Sequence, residues 1–247
     1  MSIPRIIFII PYRNREKQKS FFLEKMKYIM EDINEIDYRI LFIHQRDERD
    51  FNRGAMKNIG FLFVKNQFPN HYLNITLVFN DVDTTPKEKN MFNYDTNKGM
   101  VKHFYGTQNA LGGIFSITAE DFENIGGFPN FWSWGYEDNL IYERVKQKKI
   151  VIDRSNFYSI MNENINQDFS DGYIRYVNKN DFNLFKARTN NGIHSISKLQ
   201  YEYDETNMYV NVFHFDVPNQ KSETVPMDLR KTNIPFARSI GSMKMFL

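Results

Sequence analysis

Ile6-Ile7-Phe8-Ile9-Ile10, followed at once by Pro11-Tyr12-Arg13-Asn14-Arg15, decides the fold of this chain. An unbroken apolar run rich in β-branched residues reads as a strand buried on both faces, and the change to proline, tyrosine and two guanidinium groups marks where it leaves the core. The run is far below the ~20 residues of a membrane span and lacks a signal-peptide cleavage region. Working outward, residues 17–33 carry Phe21, Met26, Ile29 and Met30 at mixed three- and four-residue spacing and predict a helix on one face. Residues 38–44 predict a second strand, 55–64 a second helix, and 74–79 a third strand ending at Asp81-Val82-Asp83. This alternation predicts a doubly wound α/β half, whose ligand sits beyond the carboxyl ends of its strands. Residues 11–15, 51–53 and 81–83 all fall there.

Further along, residues 112–117 read as another strand, and Thr118-x-x-Asp121 as a capped helix start before residues 122–125, with Gly126-Gly127 as its stop. Residues 137–148 predict a helix with acids in the first turn and Lys146, Lys148 and Lys149 at the end, the arrangement the helix dipole favours. Residues 155–191 are rich in Asn, Asp and aromatics with weak periodicity and predict loops and short helices over the site. Residues 201–203 and 208–215 predict a closing hairpin. No repeat, low-complexity tract or linker divides the chain, so the expectation is one domain over residues 1–247. About residues 1–110 form its nucleotide-binding-like half and about 111–247 the remainder.

Composition narrows the function. The chain has 247 residues, of which 32 are basic and 30 acidic, and this balance lacks the one-signed field of a nucleic-acid binder. It has no cysteine, which removes disulfides and zinc-thiolate sites and sits easily in a reducing compartment. With no signal peptide or anchor in the sequence, a cytoplasmic location is expected. The sequon Asn74-Ile75-Thr76 reads as chance in that setting. The five histidines are scattered without ligand spacing and read as structural, and no nucleophile elbow or phosphate-binding glycine loop is present.

The chemistry concentrates in few places. Asp81 and Asp83 leave a strand end together and suit a hard divalent cation that neutralises a departing diphosphate; a solvated turn is the rival reading. Pro11, Arg13 and Arg15 suit a diphosphate or uracil grip, against a merely basic turn. Phe51 can stack on a base, and Arg53, a cation at a helix start, sits against the dipole unless an anion lies nearby. Trp132-Ser133-Trp134-Gly135-Tyr136-Glu137-Asp138 places both tryptophans, a hinge glycine and adjacent acids in one exposed-looking loop. Aromatic faces stack on sugar rings and carboxylates accept hydroxyl protons, so it reads as an acceptor site with its own general base; the rival is a buried aromatic turn.

Taken in order, residues 10–15, Phe51-Asn52-Arg53 with Asn58-Ile59-Gly60-Phe61, Asp81-Val82-Asp83, Gly112-Gly113, Gly126-Gly127-Phe128-Pro129-Asn130 and residues 132–138 resemble the β1,4-galactosyltransferase family, with a weaker echo at residues 191–196. The resemblance implies a GT-A fold, that is, a nucleotide-sugar-binding α/β domain with a central mixed sheet flanked by helices. It also implies a UDP-sugar donor, manganese dependence and inversion at the anomeric carbon, with about residues 1–110 as the nucleotide-sugar-binding half and about 111–247 as the acceptor-binding half. By it, Pro11, Arg13 and Arg15 hold UDP, Phe51 and Arg53 contact uridine, and Asp81, Gly113 and Trp134 belong with the nucleotide sugar. Asp83 becomes the direct metal ligand, Asp138 the general base, Trp134 the mobile-loop tryptophan with Gly135 its hinge, and Glu137 a holder of the acceptor.

The departures from the family pattern matter too. Met161 and Asn164 stand where the family supplies a methionine and a histidine as further metal ligands, which implies looser binding and acceptance of Mn²⁺ or Mg²⁺. Asn139 replaces the third acid of the run. Ala110 falls where a larger residue limits the donor's C2 substituent, so an N-acetylhexosamine donor joins galactose as an expectation. The Asn-, Lys- and Ile-heavy composition and the missing anchor fit a cytosolic or viral relative, the latter working in the host-cell cytoplasm. The alternative is a catalytically degenerate module that binds glycan or nucleotide without turnover.

Overall fold

The computed structural model describes residues 2–170, 172–178, 180–186, 191–219 and 223–228. Strand β1, Ile6–Tyr12, is buried along its whole length. Because successive side chains of a strand point to opposite faces, Ile7 and Ile9 join one core while Ile6, Phe8 and Ile10 join the other. Helix α1, Glu16–Ile29, covers the second face with Phe22, Met26 and Ile29. After β2, Tyr38–Gln45, helix α2, Arg53–Gln67, covers the first face with Met56, Ile59, Phe63 and Val64. Its start is capped by the Asn52 side chain, which accepts from the Ala55 N–H at 2.9 Å. Strand β3, Thr76–Asn80, lies on the other side of β1 from β2, and both neighbours are parallel to it. The strand order therefore reverses at β1, which opens a crevice above its carboxyl end.

The remaining elements complete a mixed sheet. They are β4 Thr84–Pro86, β5 Met100–Gly106, β6 Ile114–Thr118, α3 Ala119–Asn124, α4 Glu137–Gln147, β7 Val151–Asp153, β8 Tyr158–Ser159, β9 Ile165–Gln167, β10 Ile174–Val177, α5 Asp181–Lys186, β11 Ser197–Asp204, β12 Tyr209–Asp216 and β13 Val225–Asp228. The main sheet runs β11-β12-β2-β1-β3-β6-β5-β7, with β8 beside β5. β3, β6 and β5 pair antiparallel, whereas β12 joins β2 in parallel. Two ribbons, β4 with β9 and β10 with β13, stand apart from it.

The expected fold class holds, and the differences are local. Strand β5 carries no expectation from the sequence, because Lys102 and His103 interrupt its apolar pattern; pairing with β6 and β7 creates it. The strand expected from residue 112 begins at Ile114, since Gly113 takes φ +71°. Thr118 caps α3 as expected, accepting from the Asp121 N–H at 3.2 Å. The hairpin at the end is real and is longer than its sequence signal. Between residues 155 and 191 short strands replace many of the expected loops. The last part of the expected acceptor half, 229–247, lies outside the described residues.

Motifs far apart in sequence are tied together beneath the site. The buried Asn58 amide donates to the Phe128 carbonyl and to Asn130 Oδ1, both at 2.8 Å, and accepts from the Phe128 N–H. Asn130 in turn donates to the Gly192 carbonyl and to Ser195 Oγ. This network locks α2, residues 126–130 and residues 191–195 into one unit, because each member would cost roughly 1–3 kcal/mol if left buried and unpaired.

Candidate active site

A cavity of about 600 Å³ opens above the carboxyl ends of β1 and β3. Pro11, Arg13 and Arg15 reach it from the end of β1, Phe51 and Arg53 from the start of α2, and Asp81 and Asp83 from the turn after β3. Three loops thus converge as the topology demands. Arg13 is also engaged on the protein itself, donating to the Asp47 carbonyl at 3.0 Å and to the Arg49 carbonyl. It braces the loop before α2 as well as lining the cavity.

Arg53 explains its own place at a helix start. Its guanidinium donates to Asp81 Oδ1 at 2.6 Å and lies 3.1 Å from Glu137 Oε1, so the anions that offset the helix dipole are the protein's own carboxylates. Burial works to raise the Asp81 carboxyl, but Arg53, Lys57 and Arg15 outweigh it and hold the group below the usual range. Glu137 is raised, by burial first and by the neighbouring Asp138, against the pull of Arg53 and Lys57. Asp83 is pushed up to about 6 by burial and by repulsion from Asp81. Its cation partner Arg15 stands 3.9 Å away and Thr84 donates to it at 3.0 Å.

Such a carboxylate, crowded by a like charge and opening into a cavity, fits a divalent cation, and its oxygen donors suit Mn²⁺ or Mg²⁺. Among the described residues no three His, Cys, Asp or Glu side chains gather to hold a metal by themselves. A cation here would draw its remaining ligands from other oxygens, such as those of a bound diphosphate. Met161 and Asn164 do not line the cavity. Met161 sits in a left-handed turn after β8 with 74% of its surface exposed, and its N–H donates to the Tyr105 hydroxyl at 3.3 Å. Asn164 is exposed in the turn before β9, its carbonyl accepting from the Lys87 N–H. A left-handed turn and a solvent-facing tight turn aim both side chains outward, so the expected ligand trio is not assembled in this arrangement.

The two tryptophans separate in role. Trp132 is buried and stacked on Phe215 with centroids 5.4 Å apart, and its indole N–H donates to the Asn219 carbonyl. It is core by burial, and it also borders the cavity. Trp134 lines the cavity, and its N–H donates to the Tyr176 carbonyl at 2.7 Å, which ties the loop to β10. Gly135 at φ +93° and Tyr136 at φ +67° then turn the chain sharply into α4.

Glu137 and Asp138 occupy the first turn of α4 and face different partners. Glu137 is buried on Arg53. Asp138 Oδ1 accepts from the Lys57 ammonium at 2.9 Å, and its carbonyl accepts from the Leu111 N–H at 2.9 Å. A Cβ at Gly112 would collide with the Asp138 carboxylate, so only glycine allows this approach. Gly113 supports the other acid pair, its carbonyl accepting from the Asp81 N–H at 3.2 Å. Asp138 does not itself line the cavity; it stands beside it, next to Glu137 in sequence and within the field of Arg53. Asn139 donates to the Asn109 carbonyl, and Ala110 is buried.

Several lining residues carry no sequence signal for this role: Gln167 from β9, Phe169, and Ile174 and Tyr176 from β10. They sit in segments without periodicity, and only the fold brings them over the cavity. Lys57 carries one sequence signal, a cation amid the mostly apolar residues of α2.

Comparison with known proteins bears on the sequence family and on the fold. Residues 1–95 match the family model described as the N-terminal region of glycosyl transferase group 7, and residues 99–165 match the one described as the N-terminal domain of galactosyltransferase. β-1,4-Galactosyltransferase 4 of Cricetulus griseus is 32% identical over 167 residues, 63% of this chain and 46% of the relative. The human form is 30% identical over 165 residues, 62% and 46%. The chain thus spans about half the length of the curated relatives it matches. The catalytic domain of Drosophila β1,4-galactosyltransferase 7, solved with xylobiose, shares the fold with TM-score 0.67 and 18% identity over 93% of this chain and 98% of that one. A mutant of the same enzyme, solved with manganese, UDP-Gal and xylobiose, gives TM-score 0.64 and 17% identity, again over 93% and 98%.

Proposed function

This chain belongs to the β1,4-galactosyltransferase family, and from that membership and the geometry of the cavity we propose that it is a metal-dependent, inverting glycosyltransferase. The donor is UDP-galactose or a UDP-N-acetylhexosamine and the acceptor a sugar-terminated carbohydrate. The observation that carries this reading is Arg53, which bridges Asp81 and Glu137 and so joins the strand-end acids to the acids at the start of α4. Relatives solved with UDP-Gal, manganese and xylobiose support the substrate classes.

In this scheme Arg15 and Arg13 hold the diphosphate, Phe51 stacks on the base, and Trp134 covers the sugar between donor and acceptor. Asp83 would hold the cation, and Met161 and Asn164 would join it only on an inward turn of their segment, since both are exposed and stand outside the cavity lining. When bound, the metal supplies neutralising charge to the departing diphosphate. Asp138 takes the proton of the acceptor hydroxyl as that oxygen attacks the anomeric carbon. The bond to UDP breaks on the opposite face, so the configuration inverts. A positioned base of this kind contributes roughly 10²–10⁴-fold. Glu137, held by Arg53, lines up the acceptor. An N-acetylhexosamine donor rests on the small Ala110, which is buried and stands outside the lining of this cavity.

The test is transfer from a panel of UDP-sugars to monosaccharide and disaccharide acceptors with Mn²⁺ or Mg²⁺, read by mass spectrometry. Asp138→Asn should lose at least about a hundredfold in rate while UDP still raises the melting temperature. Wild-type rates in that variant would remove Asp138 from the mechanism. One feature favours a second reading, a binding module without turnover: Asp138 already has a cation partner in Lys57. UDP binding indifferent to Mn²⁺, with no product from any donor, would select it.

A further inference from the structure

Lys57 has no part in the scheme above, yet its position is unusual for a lysine. Its side chain is 3% exposed, whereas the Asp138 side chain it pairs with is 24% exposed. Its Nζ lies 2.9 Å from Asp138 Oδ1 and 4.4 Å from the centre of the Phe128 ring. Lysine is almost never fully buried unless paired, because desolvating the ammonium costs several kcal/mol. Its neighbours on α2 include the apolar or small Met56, Ile59 and Gly60 beside the polar Asn58, all buried. Burial is also asymmetric. The ammonium is shut away on the protein side of the ion pair, while the carboxylate keeps an open side.

Gly112 completes the clamp. The Asp138 carboxylate packs so close to it that a Cβ would collide with Oδ2 and Cγ. One carboxylate oxygen is therefore held by an ammonium and the other packs against glycine. The remaining charged neighbours are occupied elsewhere, Arg53 with Asp81 and Glu137, and Glu137 with Arg53. A base oriented by a third group is a recurrent device, since a misplacement of about 1 Å at a reacting group costs on the order of a hundredfold in rate.

We propose that Lys57 is a positioning residue, which from behind the ion pair fixes the Asp138 carboxylate in the orientation it needs to receive the acceptor proton. This rests on the transferase reading above. Lys57 itself touches neither substrate. Its contribution belongs to the step in which the proton moves, and donor binding does not depend on it.

The decisive experiment compares Lys57→Met, a straight chain of similar length without the charge, with Lys57→Arg in steady-state transfer assays. Lys57→Met should lower kcat about 10- to 100-fold, leave KM for the UDP-sugar within about twofold, and keep the stabilisation by UDP with Mn²⁺. Lys57→Arg should recover part of kcat. Because the lysine acts through the aspartate, Lys57→Met with Asp138→Asn should transfer no more slowly than Asp138→Asn alone. A wild-type kcat in Lys57→Met, a parallel loss of donor binding, or an additive loss in the double variant would overturn the proposal. Should Lys57→Met fail to fold, Lys57→Gln is read by the same criteria. No transfer by the wild-type chain from any donor would sink the enzymatic reading and this role with it; an active wild type whose kcat ignores Lys57 would sink the role alone.

Discussion

The turn at Asp81-Val82-Asp83 and the start of α4 at Glu137-Asp138 are built alike and finished differently. Each presents two acids, and in each the first is bound by Arg53. The second acids diverge. Asp83 has Arg15 at 3.9 Å and is pushed up to about 6, whereas Asp138 has the buried ammonium of Lys57 at 2.9 Å. One site is short of positive charge and suits an incoming cation; the other carries its cation within the fold. In the proposed scheme the same residue types thus serve as metal ligand or as base according to what α2 and β1 place beside them.

Arg53 should break both regions at once. Arg53→Met takes the shared cation from the half-buried Asp81 and the buried Glu137, and a loss of about 3 kcal/mol is expected in chemical denaturation, with transfer abolished. A loss under 1 kcal/mol would mean that the two acid pairs are independent.

Acid should then pull the regions apart. His103 donates from Nε2 toward the Tyr105 and Gly112 carbonyls and accepts from Arg154, so it supports the backbone against which Asp138 packs. Burial, reinforced by the nearby Arg154, holds it down at about 4. The unfolded chain protonates near 6.5, so stability is fully present above that pH and is lost as pH falls from about 6.5 to 4, by roughly 3 kcal/mol. His103→Gln should flatten this limb of a melting-temperature profile.

Asp83 responds with the opposite sign. The folded state holds its proton more tightly than the unfolded chain, so its contribution declines as pH rises from about 4 through 6. Without metal, Asp83→Asn should gain on the order of 2 kcal/mol at pH 7.5, after allowance for its partial exposure. The same variant should lose the added stabilisation that Mn²⁺ gives with UDP, and in the wild type that stabilisation should fade below pH 6, where protons compete for the carboxylate. An unchanged Mn²⁺ response in Asp83→Asn would put the cation elsewhere.

The smallest effect is expected at Met161 and Asn164. Both side chains face outward in this arrangement, so Met161→Leu and Asn164→Ala should weaken Mn²⁺ binding only a few-fold, or less than about 1 kcal/mol. A loss as large as that of Asp83→Asn would show that the segment turns inward to complete the site.

By itself the sequence determined the doubly wound half, because an all-buried strand must be apolar throughout and its flanking helices must be amphipathic; residues 6–10, 38–44 and 55–64 state that directly. It also determined which loops meet, since strand ends of such a sheet share one crevice. Tertiary structure alone decided the partners. Nothing local distinguishes Trp132, buried and stacked on Phe215, from the more exposed Trp134, although both border the cavity. Nor does anything local reveal that Arg53 binds two carboxylates 28 and 84 positions away, or that Lys57 stands behind Asp138. Strand β5 and the β10 wall belong to the same class, because their short, interrupted patterns gain strand structure only by pairing. Charge and burial depend on distances in space, and those are fixed only once the sheet has closed.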